Sequence, residues 1–115
     1  NPISMQNAID SFIKFEREYK ILILSDMNEL GKDSVSEHIK LAKFIETLNI
    51  NVSYLVGDKM KSAHKTLSNS IWFKDTESLR SKLLDIQISN SDILVKGSRS
   101  FKLESLEETI RQISV

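Results

Sequence analysis

Strand-like and helix-like segments alternate without exception along this chain, and that alternation constrains the fold more than any other feature. Residues 21–24 (Ile-Leu-Ile-Leu), 52–56, 71–73 and 92–95 are short runs with the length and composition of strands. The first run has no polar alternation, which marks a strand covered on both faces. Around the runs, apolar residues recur at helical spacing: Met5, Ala8, Ile9, Phe12 and Ile13; Leu41, Ala42, Ile45 and Leu48; Leu79, Leu83 and Leu84; Leu103, Leu106, Ile110 and Ile113; and Met60, Ala63, His64 and Leu67 mark a short third helix. Local signals place the helix starts. Asn1 with Pro2 suits an N-cap and first turn, residues 34–37 (Ser-Val-Ser-Glu) have the spacing of a capping box, and Asp75 or Thr76 caps the fourth helix. Residues 16–20 read as a polar link and residues 26–33 as a loop. One helix per connection implies parallel strands joined by right-handed crossovers. The expected fold is α/β, a Rossmann-like three-layer domain with a mainly parallel sheet and helices on both faces. The first helix has no strand before it, so a strand is expected upstream of Asn1.

A chain of 115 residues fits one core, which usually spans about 100–150 residues. Residues 1–115 are therefore expected to form one domain, cut at Asn1 from a larger protein. Cysteine is absent, which excludes disulfides and thiolate metal sites. Lys and Arg together number 16, as do Asp and Glu, so no bulk charge draws the chain to nucleic acid or to a membrane surface. Apolar runs stay far short of the ~20 residues of a membrane span. No charged segment followed by an apolar one opens the chain as a secretion signal would. A cytoplasmic setting is the expectation.

Two strand exits carry the chemistry. Ser25-Asp26-Met27-Asn28-Glu29-Leu30-Gly31 follows the first run, and Lys96-Gly97-Ser98-Arg99 follows the fourth. Open α/β sheets bind ligands beyond the carboxyl ends of their strands, so these loops are expected side by side on one rim. Lys96, Gly97, Ser98 and Arg99 combine a cation, a permissive backbone, a hydroxyl and a guanidinium able to grip a carboxylate through two parallel hydrogen bonds. The other loop holds two carboxylates, Asp26 and Glu29, and in Gly31 a residue tolerant of positive φ. Asp26 suits a ligand contact and a turn that accepts backbone N–H bonds equally well; Glu29 suits loop architecture. His38 falls on or beside the buried stripe of the second helix, where its ring can brace the Asp26 loop. His64, among Lys59, Lys61 and Lys65, reads as a surface residue, and Trp72 as core. The two histidines lack a matching acid cluster, so no metal site is expected. No Ser-His-Asp set supports nucleophilic catalysis. With three glycines, the chain has neither a G-x-x-x-x-G-K-[ST] loop nor a G-x-G-x-x-G fingerprint; another domain must hold most of any nucleotide.

Asn1-Pro2-Ile3-Ser4-Met5 resembles the end of the motif N-A-N-P-x-S-M. Asp26-Met27-Asn28-Glu29-Leu30-Gly31 with His38 resembles G-D-M-x-E-L-G followed by a helix-borne histidine, and Leu94-Val95-Lys96-Gly97-Ser98-Arg99 resembles L-V-K-G-S-R. In this order and spacing, over nearly the whole chain, they resemble the C-terminal domain of the MurF-type Mur ligases. The resemblance implies an ATP-dependent amide ligase of peptidoglycan precursor synthesis that adds D-Ala-D-Ala to UDP-N-acetylmuramoyl-tripeptide (UDP-MurNAc-tripeptide). ATP would phosphorylate the tripeptide carboxylate, and the dipeptide amine would attack the acyl phosphate. It also implies that the central domain of the same enzyme holds the ATP, the Mg2+ and a modified lysine. This domain, with no catalytic residue of its own and inactive in isolation, would close over the central one and keep water out; the N-terminal domain would be its other partner. Under the resemblance, Lys96, Gly97, Ser98 and Arg99 bind the dipeptide carboxylate, and Asn1, Asp26, Glu29 and His38 serve nucleotide contact or domain closure. Sister ligases that add a diamino acid carry G-K-G-H-E in the 96–99 register, where the glutamate meets an amino group; Arg99 inverts that charge. The chain departs from the pattern in having Ser25 where most relatives have glycine. It also lacks the aspartate and first asparagine of the upstream motif.

An alternative from a different class is a receiver-like signalling domain, for which Asp26, Asp58 and Lys96 stand at strand exits. Against it, the acidic pair after the first strand is missing, and Phe73-Lys74 stands where a serine or threonine switch belongs. A domain kept only for partner contact is a third option.

Overall fold

The computed structural model describes residues 1–115. Helices and strands alternate as α1 (Pro2–Phe12), β1 (Tyr19–Ser25), α2 (Ser34–Glu46), β2 (Val52–Val56), α3 (Met60–Thr66), β3 (Ser70–Phe73), α4 (Thr76–Leu83), β4 (Ser91–Lys96) and α5 (Glu107–Ile113). All strand pairs are parallel, and the sheet order is β3-β2-β1-β4. This is the order of a Rossmann sheet. A receiver domain places its first strand between the second and third, whereas here β1 lies between β2 and β4. The receiver alternative is therefore overturned.

Side chains alternate across β1 and feed two separate cores. Leu22 and Leu24 pack with Met5, Ile9, Leu41, Ile45 and Met60 beneath α1, α2 and α3. Ile21 and Ile23 pack on the opposite face with Leu79, Leu83, Leu106 and Ile113, from α4 and the C-terminal segment. Both faces of β1 are covered, which is why its apolar run shows no polar break. Asn1 caps α1, its side chain accepting from the Ser4 N–H at 2.8 Å, and Asp75 caps α4 by accepting from the Ser78 N–H at 2.8 Å.

Four local expectations are corrected. Residues 34–37 form no capping box: a 3₁₀ turn at Gly31–Asp33 runs straight into α2, and Ser34 is already helical. A cap needs extended backbone at its first residue, and the Asp33 backbone is helical instead. Leu84 is 54% exposed, because α4 ends at Leu83 and the sheet-facing stripe is already filled by Leu79 and Leu83. The final helix is two pieces, a 3₁₀ turn at Leu103–Leu106 followed by α5, with Lys102 before them at φ 52°. Finally, Tyr19 and Lys20 belong to β1 and not to a polar link. Lys20 is buried because Asp92, its register partner on β4, meets the ammonium at 2.6 Å and the Phe15 carbonyl accepts from it at 2.9 Å. His64 is half-buried, its Nδ1 lying 2.8 Å from the Ser70 hydroxyl and tying α3 to β3. Trp72 is half-buried too, and its indole N–H donates to the Gly57 carbonyl at 2.6 Å.

Candidate functional site

Strand register assembles the site. Leu24 pairs with Lys96 on β4, and Ser25 pairs with Val56 on β2. The next residues, Gly97 and Gly57, therefore flank the exit of β1. A Cβ built on Gly97 would fall on the Ser25 hydroxyl, and one on Gly57 would strike the Asp26 carboxylate. Each glycine thus makes room for a side chain at the exit of β1, Ser25 or Asp26. Gly57 also holds φ at +113°, a region closed to most residues. The buried Ser25 Oγ accepts from the Ser98 N–H at 3.1 Å, which joins the two exit loops directly.

The 26–31 loop is held from three sides. Asp26 is buried; its N–H donates to the Val56 carbonyl at 3.1 Å, and its Oδ1 accepts from the Met60 N–H at 2.9 Å. Burial raises the Asp26 carboxyl above its usual range, with N–H bonds from Lys59 and Met60 and the nearby Lys59 ammonium pulling the other way. His38 is fully buried, and its Nε2 accepts from the Met27 N–H at 3.0 Å. Its Nδ1 lies 2.7 Å from the Ser34 carbonyl, an acceptor, so the proton is assigned to Nδ1. Beyond these anchors the chain turns outward: Glu29 is exposed at φ 64° and Gly31 follows at φ 55°. Asn28 spans the gap between loops. Its Nδ2 donates to the Ser98 hydroxyl at 2.6 Å and reaches the Ser100 hydroxyl at 3.4 Å, while its Oδ1 accepts from Lys59 Nζ at 2.9 Å.

No protein-family model matches the chain. A curated UDP-N-acetylmuramoyl-tripeptide–D-alanyl-D-alanine ligase from Rickettsia prowazekii is 32% identical over 109 residues, covering 92% of this chain and 24% of that protein. The fold superposes on MurF from Acinetobacter baumannii with a TM-score of 0.83, at 21% identity, over 97% of this chain and 25% of that one. MurF from Thermotoga maritima in complex with ADP gives a TM-score of 0.79 at 21% identity, over 97% of this chain and 26% of that one. The chain belongs to the MurF ligase family. It spans about a quarter of the length of these relatives and corresponds to their C-terminal domain.

In this MurF-type domain the 96–99 loop borders an open groove of about 550 Å³ whose walls include Val95, Arg99, Glu104 and Arg111. Ser98 is extended at φ −68°, ψ 147°, and the backbone then turns through a 3₁₀ segment at Arg99–Phe101. That turn leaves Arg99 exposed and Lys96 half-buried at the groove's edge. Neither cation enters an ion pair of the chain. Asp26, Glu29 and His38 share one loop assembly with the 96–99 segment. Asn1 does not join it: it lies in a separate groove of about 410 Å³ with Glu37, Lys40 and Phe44 of α2. Asp58 is an exposed residue facing Lys61 at 3.5 Å. Sequence reasoning assigned no role to Asn28, Lys59 or Gly57. The pattern of the strand exits carried a signal for Gly57; Lys59 lies 31 residues from its partner Asn28, and nothing local announces that pairing.

Proposed function

We propose that this chain is the acceptor-binding lid of an ATP-dependent ligase that adds D-alanyl-D-alanine to UDP-N-acetylmuramoyl-tripeptide, a cytoplasmic step of peptidoglycan precursor synthesis. The observation that carries the reading is the pair of unpaired cations, Lys96 and Arg99, beside the Ser98 hydroxyl on a rim fixed by Ser25. Arg99 and Lys96 bind the dipeptide's carboxylate, and Ser98 with the loop's free N–H groups completes the grip. The dipeptide's amine is then left to face the tripeptide on the other domains. Asp26 and His38 serve by holding the loop, while exposed Glu29 and Asn1 contact the nucleotide or the central domain on closure. No helix of the chain is long and apolar enough to cross a membrane.

The chain's own residues do not fit a triphosphate cradle or a magnesium site. The space beside Gly57 and Gly97 is filled by Asp26 and Ser25 rather than left open to phosphate, and no three His, Cys, Asp or Glu side chains converge. ATP and Mg2+ are assigned to the central domain. What these residues do is bind the acceptor, orient its amine and exclude water on closure.

The test is Arg99→Ala in the full-length ligase. Hydrogen bonds to a charged partner contribute about 1.5–3 kcal/mol, so the KM for D-alanyl-D-alanine should rise roughly 10- to 100-fold. The KM for ATP should stay within about twofold. Equal rises in both would refute the assignment.

A further inference from the structure

We propose that Asn28 is a positioning residue that sets the hydrogen-bond polarity of the Ser98–Ser100 pair, so that the rim presents a hydroxyl donor to the acceptor's carboxylate. The inference rests on the reading above and adds a specificity element to it. Lys59 Nζ can only donate, and it lies 2.9 Å from Asn28 Oδ1. That contact fixes the amide orientation and turns Nδ2, with its two hydrogens, toward Ser98 Oγ at 2.6 Å and Ser100 Oγ at 3.4 Å. Both serine oxygens therefore accept from Asn28.

The two hydroxyls also lie 2.8 Å from each other, and one of their protons fills that contact. Whichever serine donates, the other is left with a proton and no acceptor within the chain. With an acceptor-only group in place of the amide, both hydroxyls would turn inward to donate. With Asn28, one must point away from the amide, on the same loop as Lys96 and Arg99, toward the carboxylate that the proposed function places there. The Ser98 backbone is held in place separately, through its N–H to Ser25 Oγ. Asn28 thus governs the direction of the hydroxyls more than the position of the loop.

Steady-state kinetics of the full-length ligase with Asn28→Asp and Asn28→Ala tests this, with Arg99→Ala alongside. Asn28→Asp keeps the shape and the Lys59 contact but reverses the polarity. It should raise the KM for D-alanyl-D-alanine by about tenfold or more, and Asn28→Ala by a few-fold, with kcat and the KM for ATP within about twofold. Thermal melts of both variants should match the parent to within a few degrees. A wild-type KM in Asn28→Ala would overturn the inference, because donation is then not needed and any effect of the aspartate is charge alone. A wild-type KM in Asn28→Asp with a raised one in Asn28→Ala would also overturn it, since a simple tether then suffices. In either case a raised KM in Arg99→Ala leaves the binding reading standing; an unchanged one removes that reading and this inference together.

Discussion

Gly97→Ala, alone and combined with Ser25→Gly, probes the contact that joins the two exit loops. A methyl on Gly97 would land on the Ser25 hydroxyl and come within 2.7 Å of Ser25 Cβ and 2.9 Å of its backbone nitrogen. Ser25 is fully buried, so its side chain has nowhere to swing. Overpacking of this kind costs about 1–3 kcal/mol, and displacing Ser25 Oγ from the Ser98 N–H adds about 1 kcal/mol. The single variant should therefore lose roughly 3 kcal/mol. Ser25→Gly should lose about 1 kcal/mol for the same missing bond. In the double variant the clashes with Oγ and Cβ vanish and the one with the backbone nitrogen remains. The two changes should then couple favourably by about 1–2 kcal/mol, against an additivity error of about 0.5 kcal/mol for independent sites. Urea unfolding at constant m measures all four species. Additive losses would mean that the β1 and β4 exits do not touch as described.

Two further outcomes follow from buried charge. Asp92→Ala leaves the Lys20 ammonium buried with the Phe15 carbonyl as its one hydrogen-bond acceptor and the Phe12 ring beside it, and should cost about 3 kcal/mol in denaturant unfolding; a loss below about 1 kcal/mol would mean the pair is solvated. For Asp26, burial raises the carboxyl's pKa above 3.8, so the folded chain holds that proton more tightly than the unfolded one. The resulting stability is full below the unfolded value and lost as pH rises through the raised one. The melting temperature of Asp26→Asn relative to the parent should therefore climb as pH rises above the ordinary carboxyl value of 3.8 and level off once the buried carboxyl has ionised, and a constant difference would contradict the assignment.

The helix–strand alternation was legible because each element carries its own period, and the caps at Asn1 and Asp75 were legible because a cap is a local event. Where the deciding contact is distant, the pattern misleads. Lys20 looks like linker until Asp92, 72 residues on, neutralises it. Ser34 looks like a cap until the preceding 3₁₀ turn takes up the helix start. In the site, the glycines and charges of both loops stood out, and strand-exit logic put them on one rim. The order of strands around β1 decides which side chain meets which glycine. That order comes from crossover packing and is not written in either loop. Asn28 was visible only as a polar residue within a motif; its role needs Ser98 and Lys59 brought together in space.

The most direct measurement compares D-alanyl-D-alanine with its C-terminal amide as acceptors for the full-length ligase and its Arg99→Ala variant. If the 96–99 loop reads the carboxylate, the parent enzyme favours the acid in kcat/KM by about tenfold or more, and the variant accepts acid and amide almost equally. A variant that keeps the parent's preference would show that the carboxylate is recognised elsewhere.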